Sequence, residues 1–145
     1  MPEGIALGFD FGKRRIGVAV GEASLGVGRP LTTIDDIDTT LRFHRISELI
    51  QEWQPHVLVV GLALALDGTE HQLTRHCRRF ANRLRGRFGL PVVLVDERLS
   101  SVSAEEALKE AGHDWVARKT LTDARAAQII LQDYFDAASQ RRSAF

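Results

Sequence analysis

A chain of 145 residues that is 44% hydrophobic and 26% charged can bury a core without disulfides or a structural metal, and its composition is that expected of a globular protein and not of a disordered or membrane one. The formal net charge is zero, so the whole-molecule field carries no nucleic-acid signature, and no apolar run nears the roughly 20 residues of a membrane span. Met1 to Gly4 lacks the pattern of a secretory signal and the lone Cys77 excludes an internal disulfide, so a cytoplasmic protein with no membrane partner is expected.

Ile5-Ala6-Leu7-Gly8-Phe9 alternates large and small residues as a strand does, ends on Asp10, and is followed by a basic turn and a second alternating run, Ile16 to Val20. A β-hairpin with Asp10 at the end of its first strand is predicted. Pro30 to Ile34 reads as a third strand. After the acidic stretch 35–38, apolar residues at helical spacing predict a helix over 41–53, ended by Pro55. Val57 to Val60 is a continuous apolar run, as in a strand buried on both faces. Thr69 with Gln72 makes a capping-box start for the next helix, which Gly86 and Gly89 punctuate. Val92 to Val95 is a further strand running into Asp96-Glu97-Arg98. Ser103 with Glu106 caps a helix stopping near Gly112, and a last helix spans 122–137. Strands first, then alternation, then helices predict an α/β fold: a mixed β-sheet flanked by α-helices. One domain over 1–138 with a polar tail over 139–145 is expected.

Hydrolysis of a phosphodiester requires a nucleophilic water and neutralisation of charge on the phosphoryl and leaving oxygens. Two hard divalent cations held by carboxylates supply both. Asp10, at a strand end beside the core, is placed as such a ligand or as a turn-forming residue before Gly12. Asp96 and Glu97 leave the buried strand 92–95, and either could be a ligand or a partner of Arg98. Thr120 and Asp123 fit a capping box, yet Asp123 shares its helical stripe with Ala127, Ile130, Leu131 and Tyr134, the face that must pack on the sheet. Facing therefore favours a functional Asp123. Ala126 and Ala127 would let that helix approach the sheet closely.

From His71 to Val95 there is no Asp or Glu, while Arg75, Arg78, Arg79, Arg83, Arg85 and Arg87 fall in that stretch, giving a local basic face or a solvated helix surface. Lys13, Arg14 and Arg15 could bind a substrate phosphate or form a solvated basic turn, and the loop 66–69, ending at Thr69, could hold a phosphate on helix N–H groups or serve as turn and cap. The histidines show no metal-binding spacing.

The stretches Leu7 to Val20, Val59-Val60-Gly61-Leu62 with Asp67-Gly68-Thr69, Val95 to Ser101 and Asp123 to Gln132, in this order, resemble the YqgF/RuvX family of Holliday-junction-resolvase-like nucleases. The resemblance implies an RNase H-like fold and a Mg²⁺ or Mn²⁺ site, with two metals, on Asp10, Glu97 and Asp123. It selects Glu97 over Asp96, and it brings Arg98, Thr69 and Ser101 beside Lys13 and Arg14 as substrate contacts. It implies a nucleic-acid partner, either pre-16S rRNA cut in 5′ maturation or a branched DNA junction, whose symmetry would suit a homodimer. Ala63 and Ala65 depart from the family's usual Pro and Asn. Two other classes compete: an actin-type ATPase, which needs a second domain to close on its nucleotide, and a non-catalytic ribosome-assembly factor that only binds nucleic acid.

Overall fold

The computed structural model describes residues 4–64, 71–97 and 115–143, the last stretch with side chains from Asp123 to Ser139. Three strands, β1 (Ile5–Asp10), β2 (Arg15–Glu22) and β3 (Val27–Asp35), form an antiparallel meander. Helix α1 (Thr39–Trp53) then leads to β4 (Pro55–Leu62), α2 (Gln72–Phe88) to β5 (Val92–Asp96), and α3 (Trp115–Ser143) closes the chain. The sheet has five strands in the order β3-β2-β1-β4-β5, with β1, β4 and β5 parallel. The ends of those three strands therefore lie along one edge.

Local chemistry accounts for the boundaries. Asp38 caps α1, its Oδ1 accepting from Leu41 N at 3.0 Å, so the helix starts at Thr39, two residues ahead of the predicted start. Gln54, left-handed at φ 49°, ends α1 where Pro55 disfavours another helical residue. β3 runs through Pro30 because it is an edge strand, with a register shift opposite Val18 and Ala19 that accommodates the ring. The capping box of α2 is formed by His71 and Thr74 instead of Thr69 and Gln72, because the helix begins only at Gln72. Gly89 supplies its left-handed cap, while Gly86 lies within the helix. α3 extends beyond both predicted ends, since no Gly or Pro interrupts residues 115–143. The predicted helix over 103–112 falls outside the described residues.

Two cores cover the sheet. On one face Leu7, Phe9, Ile16, Val18, Leu58 and Val60 meet Phe43, Ile46 and Leu49 of α1 and Phe80, Ala81 and Leu84 of α2. On the other, Ala6, Ala19, Val57 and Val59 meet Ala127, Ile130, Leu131 and Phe135 of α3. Small residues bring α3 close: a Cβ on Gly8 would stand 3.0 Å from Leu131 Cβ. Two glutamines of α3 then tie down the edge strand, with Gln128 Nε2 donating to Gly28 O and Gln132 Oε1 accepting from Gly28 N, both at 3.0 Å.

Candidate active site

The β-alternation that puts Leu7 and Phe9 into the α1/α2 core turns Asp10 toward α3. In register, Asp10 pairs with Gly17 of β2, and on its other side it follows the Phe9–Val60 pair, next to Gly61 of β4. A row Gly17, Asp10, Gly61 thus crosses three strands on the face that α3 covers. Both glycines are required by what sits on them. A Cβ on Gly17 would collide with the main-chain carbonyl of Asp123, and one on Gly61 with the Glu97 carboxylate and the Ile130 side chain. The bare glycines on either side of Asp10 leave room for the Asp123 main chain over one strand and the Glu97 carboxylate over the other.

Asp10 is driven out of the ordinary carboxylate range to about 7, first by burial and then by the negative charge of Asp123. Asp123 is held in turn by Arg15, whose Nε donates to Oδ2 at 2.9 Å in a partly buried pair. Glu97 is anchored by its own main chain, its N–H donating to Leu62 O at 3.1 Å where β5 leaves the sheet. Of the two adjacent acids, Glu97 is the one whose carboxylate lies against Gly61 in the row, while Asp96 ends β5 in register with Leu62. Among the described residues no group of three His, Cys, Asp or Glu side chains is already closed into a metal-holding cluster. The donor chemistry nevertheless fits a hard divalent cation: oxygen ligands only, with two carboxylates that repel one another.

Beneath this edge lies Cys77, a residue for which sequence offered no role. Its thiol is buried, and burial raises its pKa against an opposing main-chain hydrogen bond at Ala63, with Glu97 and Asp10 adding to the rise. It is therefore a neutral, unreactive thiol at neutral pH. Ala63 acts through its backbone, since its carbonyl also accepts from the Thr74 hydroxyl at the start of α2. Ala65, Thr69, Arg98 and Ser101 lie outside the described residues.

The basic turn is latched from below. Arg42, buried in α1, donates to the carbonyls of Gly12 (2.8 Å), Lys13 and Asp36. That leaves Lys13 and Arg14 exposed, with Arg14 only 3.7 Å from the Asp35 carboxylate. Sequence reading missed Arg42, and it grouped Arg15 with Lys13 and Arg14 as a phosphate contact, whereas its guanidinium is turned to Asp123. The arginines of α2 are exposed, and Arg87 lies 4.3 Å over the Phe43 ring while Arg85 donates to Val92 O at 3.1 Å.

Comparison with known proteins fits this edge. A protein of Nitrosomonas europaea named as a proposed pre-16S rRNA nuclease is 56% identical over 133 residues, covering 92% of this chain and 90% of its own. One of Methylobacillus flagellatus with the same name is 57% identical over 133 residues, covering 92% and 91%. Among solved structures, Thermus thermophilus RuvC in complex with a Holliday junction aligns with a TM-score of 0.55 at 16% identity, over 93% of this chain and 96% of that one. That likeness bears on the fold alone, and it agrees with the RNase H-like mixed sheet flanked by helices. The profile of the RuvX family, described as Holliday junction resolvase, matches residues 4–137, and the chain belongs to that family of nucleases.

Proposed function

We propose that this chain is a divalent-metal-dependent endonuclease of structured nucleic acid, acting in 5′ maturation of pre-16S rRNA. What supports the reading is the row Gly17, Asp10, Gly61, with the Asp123 main chain packed over Gly17 and the Glu97 carboxylate over Gly61. Asp10, Glu97 and Asp123 would hold Mg²⁺ or Mn²⁺. When bound, such ions activate a water and neutralise the developing charge on phosphorus and the leaving oxygen. The chain's own part is placement. Asp10 is fixed at a strand end with its carboxylate half in the core, Arg15 orients Asp123, and Lys13 and Arg14 meet the substrate phosphates from the latched turn. Thr69, Arg98 and Ser101 are assigned to the same substrate contacts.

The relatives' shared name supports the RNA substrate, and the family's description supports a branched DNA junction. The chemistry is common to both. A side-by-side assay on four-way DNA junctions and on pre-16S rRNA bearing its 5′ extension, with Mg²⁺ or Mn²⁺, tests the choice. Cleavage of the rRNA, lost in Asp10→Asn, is expected. Equal activity in wild type and variant would remove the metal-nuclease reading, and cutting confined to junctions would reassign the substrate.

A further inference from the structure

Beside the carboxylate edge, between the β1–β2 turn, α1 and α2, lies a cavity of 390 Å³, within the range of about 300–1,000 Å³ typical of small-ligand sites. Its floor is apolar: Phe11, Phe43 and Phe80 all line it, with the Phe11 and Phe80 rings 5.0 Å apart. Its rim is cationic: Lys13, Arg79 and Arg83 reach it from exposed positions, and among the described residues no carboxylate lines it. His76, on the same wall, buries its Nε2 without a hydrogen-bond partner among the described residues. Arg42 closes the base, committed to the turn carbonyls.

An aromatic floor with a guanidinium rim matches a group having one flat apolar face and one phosphate. Phe11 and Lys13 lie one and three residues after Asp10, so the cavity opens at the same strand end as Asp10, on the α1/α2 side of the sheet. We propose that this cavity is a nucleotide subsite, taking one unstacked base against the phenyl floor and its phosphate on Arg79, Arg83 and Lys13. The assignment rests on the nuclease reading for the source of the nucleotide, a flanking position of the substrate strand. A free mononucleotide has the same chemistry and is separated by the test.

The test is a fluorescence titration of the full chain, in EDTA, with single-stranded hexanucleotides carrying 2-aminopurine at successive positions. Binding should quench the probe at one position, and Arg79→Gln with Arg83→Gln should weaken binding about tenfold. Arg45→Gln, which removes an exposed charge paired with Glu48 on α1, should change it less than about twofold. Phe11→Leu should abolish the quenching while retaining most of the salt-dependent affinity. Displacement by adenosine 5′-monophosphate would identify a free-nucleotide site, and its absence a strand subsite. Probe fluorescence unchanged at every position, or equal losses in the cavity and Arg45 variants, would overturn the proposal. Because no metal is present, a chain that binds in this way yet never cleaves would sink the nuclease reading and leave the subsite standing.

Discussion

Arg15 Nε stands 2.9 Å from Asp123 Oδ2, joining the second strand to the last helix across 108 positions of sequence, and Asp123 is the negative charge that bears on Asp10. The guanidinium offsets the charge that otherwise bears on Asp10. Arg15→Gln removes that offset, so the metal-free protein should lose about 1–3 kcal/mol at pH 8. The loss should shrink at pH 5, where Asp10 is protonated and repulsion within the pair is gone. Urea unfolding in EDTA at the two pH values measures both. An equal loss at each would show that the pair acts by packing alone.

The elevated Asp10 carboxyl makes stability depend on pH in a defined direction. Its folded value of about 7 exceeds the ordinary 3.8, so the native state binds the proton more tightly than the unfolded chain does. Stability of the metal-free protein should therefore be greatest near pH 4, fall as pH rises toward 7, and level off above. The shift sets an upper limit of about 4 kcal/mol, lowered in practice by the partial exposure of the residue. Asp10→Asn removes the dependence, so its Tm in EDTA should match wild type near pH 4 and exceed it by about 5 °C at pH 8. Mn²⁺ at pH 8 should raise the wild-type Tm and leave the variant nearly unmoved.

Gly61 and Gly17 should fail in different ways when given a methyl group. In Gly61→Ala the obstacle is mainly a carboxylate that can swing aside, so cleavage should drop about 10–100-fold for a stability cost of about 1–3 kcal/mol. In Gly17→Ala the obstacle is helix backbone, which cannot yield locally, and the cost should exceed that of Gly61→Ala. Thermal melts beside cleavage rates separate the cases. A Gly61→Ala enzyme of full activity would remove Glu97 from the working site.

Arg42→Met strips the donors from the carbonyls of Gly12, Lys13 and Asp36 and should cost about 2–4 kcal/mol. Arg42→Lys should recover less than half, since an ammonium cannot span the three acceptors in the same fork. Urea midpoints, with protease cutting within residues 12–14 as a local probe, would register the unlatched turn.

The sheet was legible because its strands are encoded locally, in alternation over 5–10 and 16–20 and in unbroken apolar runs over 57–60 and 92–95. What escaped was set by contacts remote in sequence. Helix α3 begins at Trp115, ahead of Thr120, so Thr120 is not at the helix start and the capping-box reading of Asp123 falls away. The buried stripe predicted for Asp123 is present in Ala127, Ile130 and Leu131. Glu97 could not be chosen over Asp96 by spacing, because the choice depends on a glycine from another strand lying beneath it. Arg42 looked like one more charge on an amphipathic helix, and only the turn it reaches shows why it is buried.

The Arg15–Asp123 pair also dates the site within the life of the chain. During synthesis Asp10 and Arg15 leave the ribosome early, whereas the helix bearing Asp123 comes last. A chain lacking α3 has the strands but not the carboxylate that opposes Asp10, so this edge is completed only when α3 docks on the sheet.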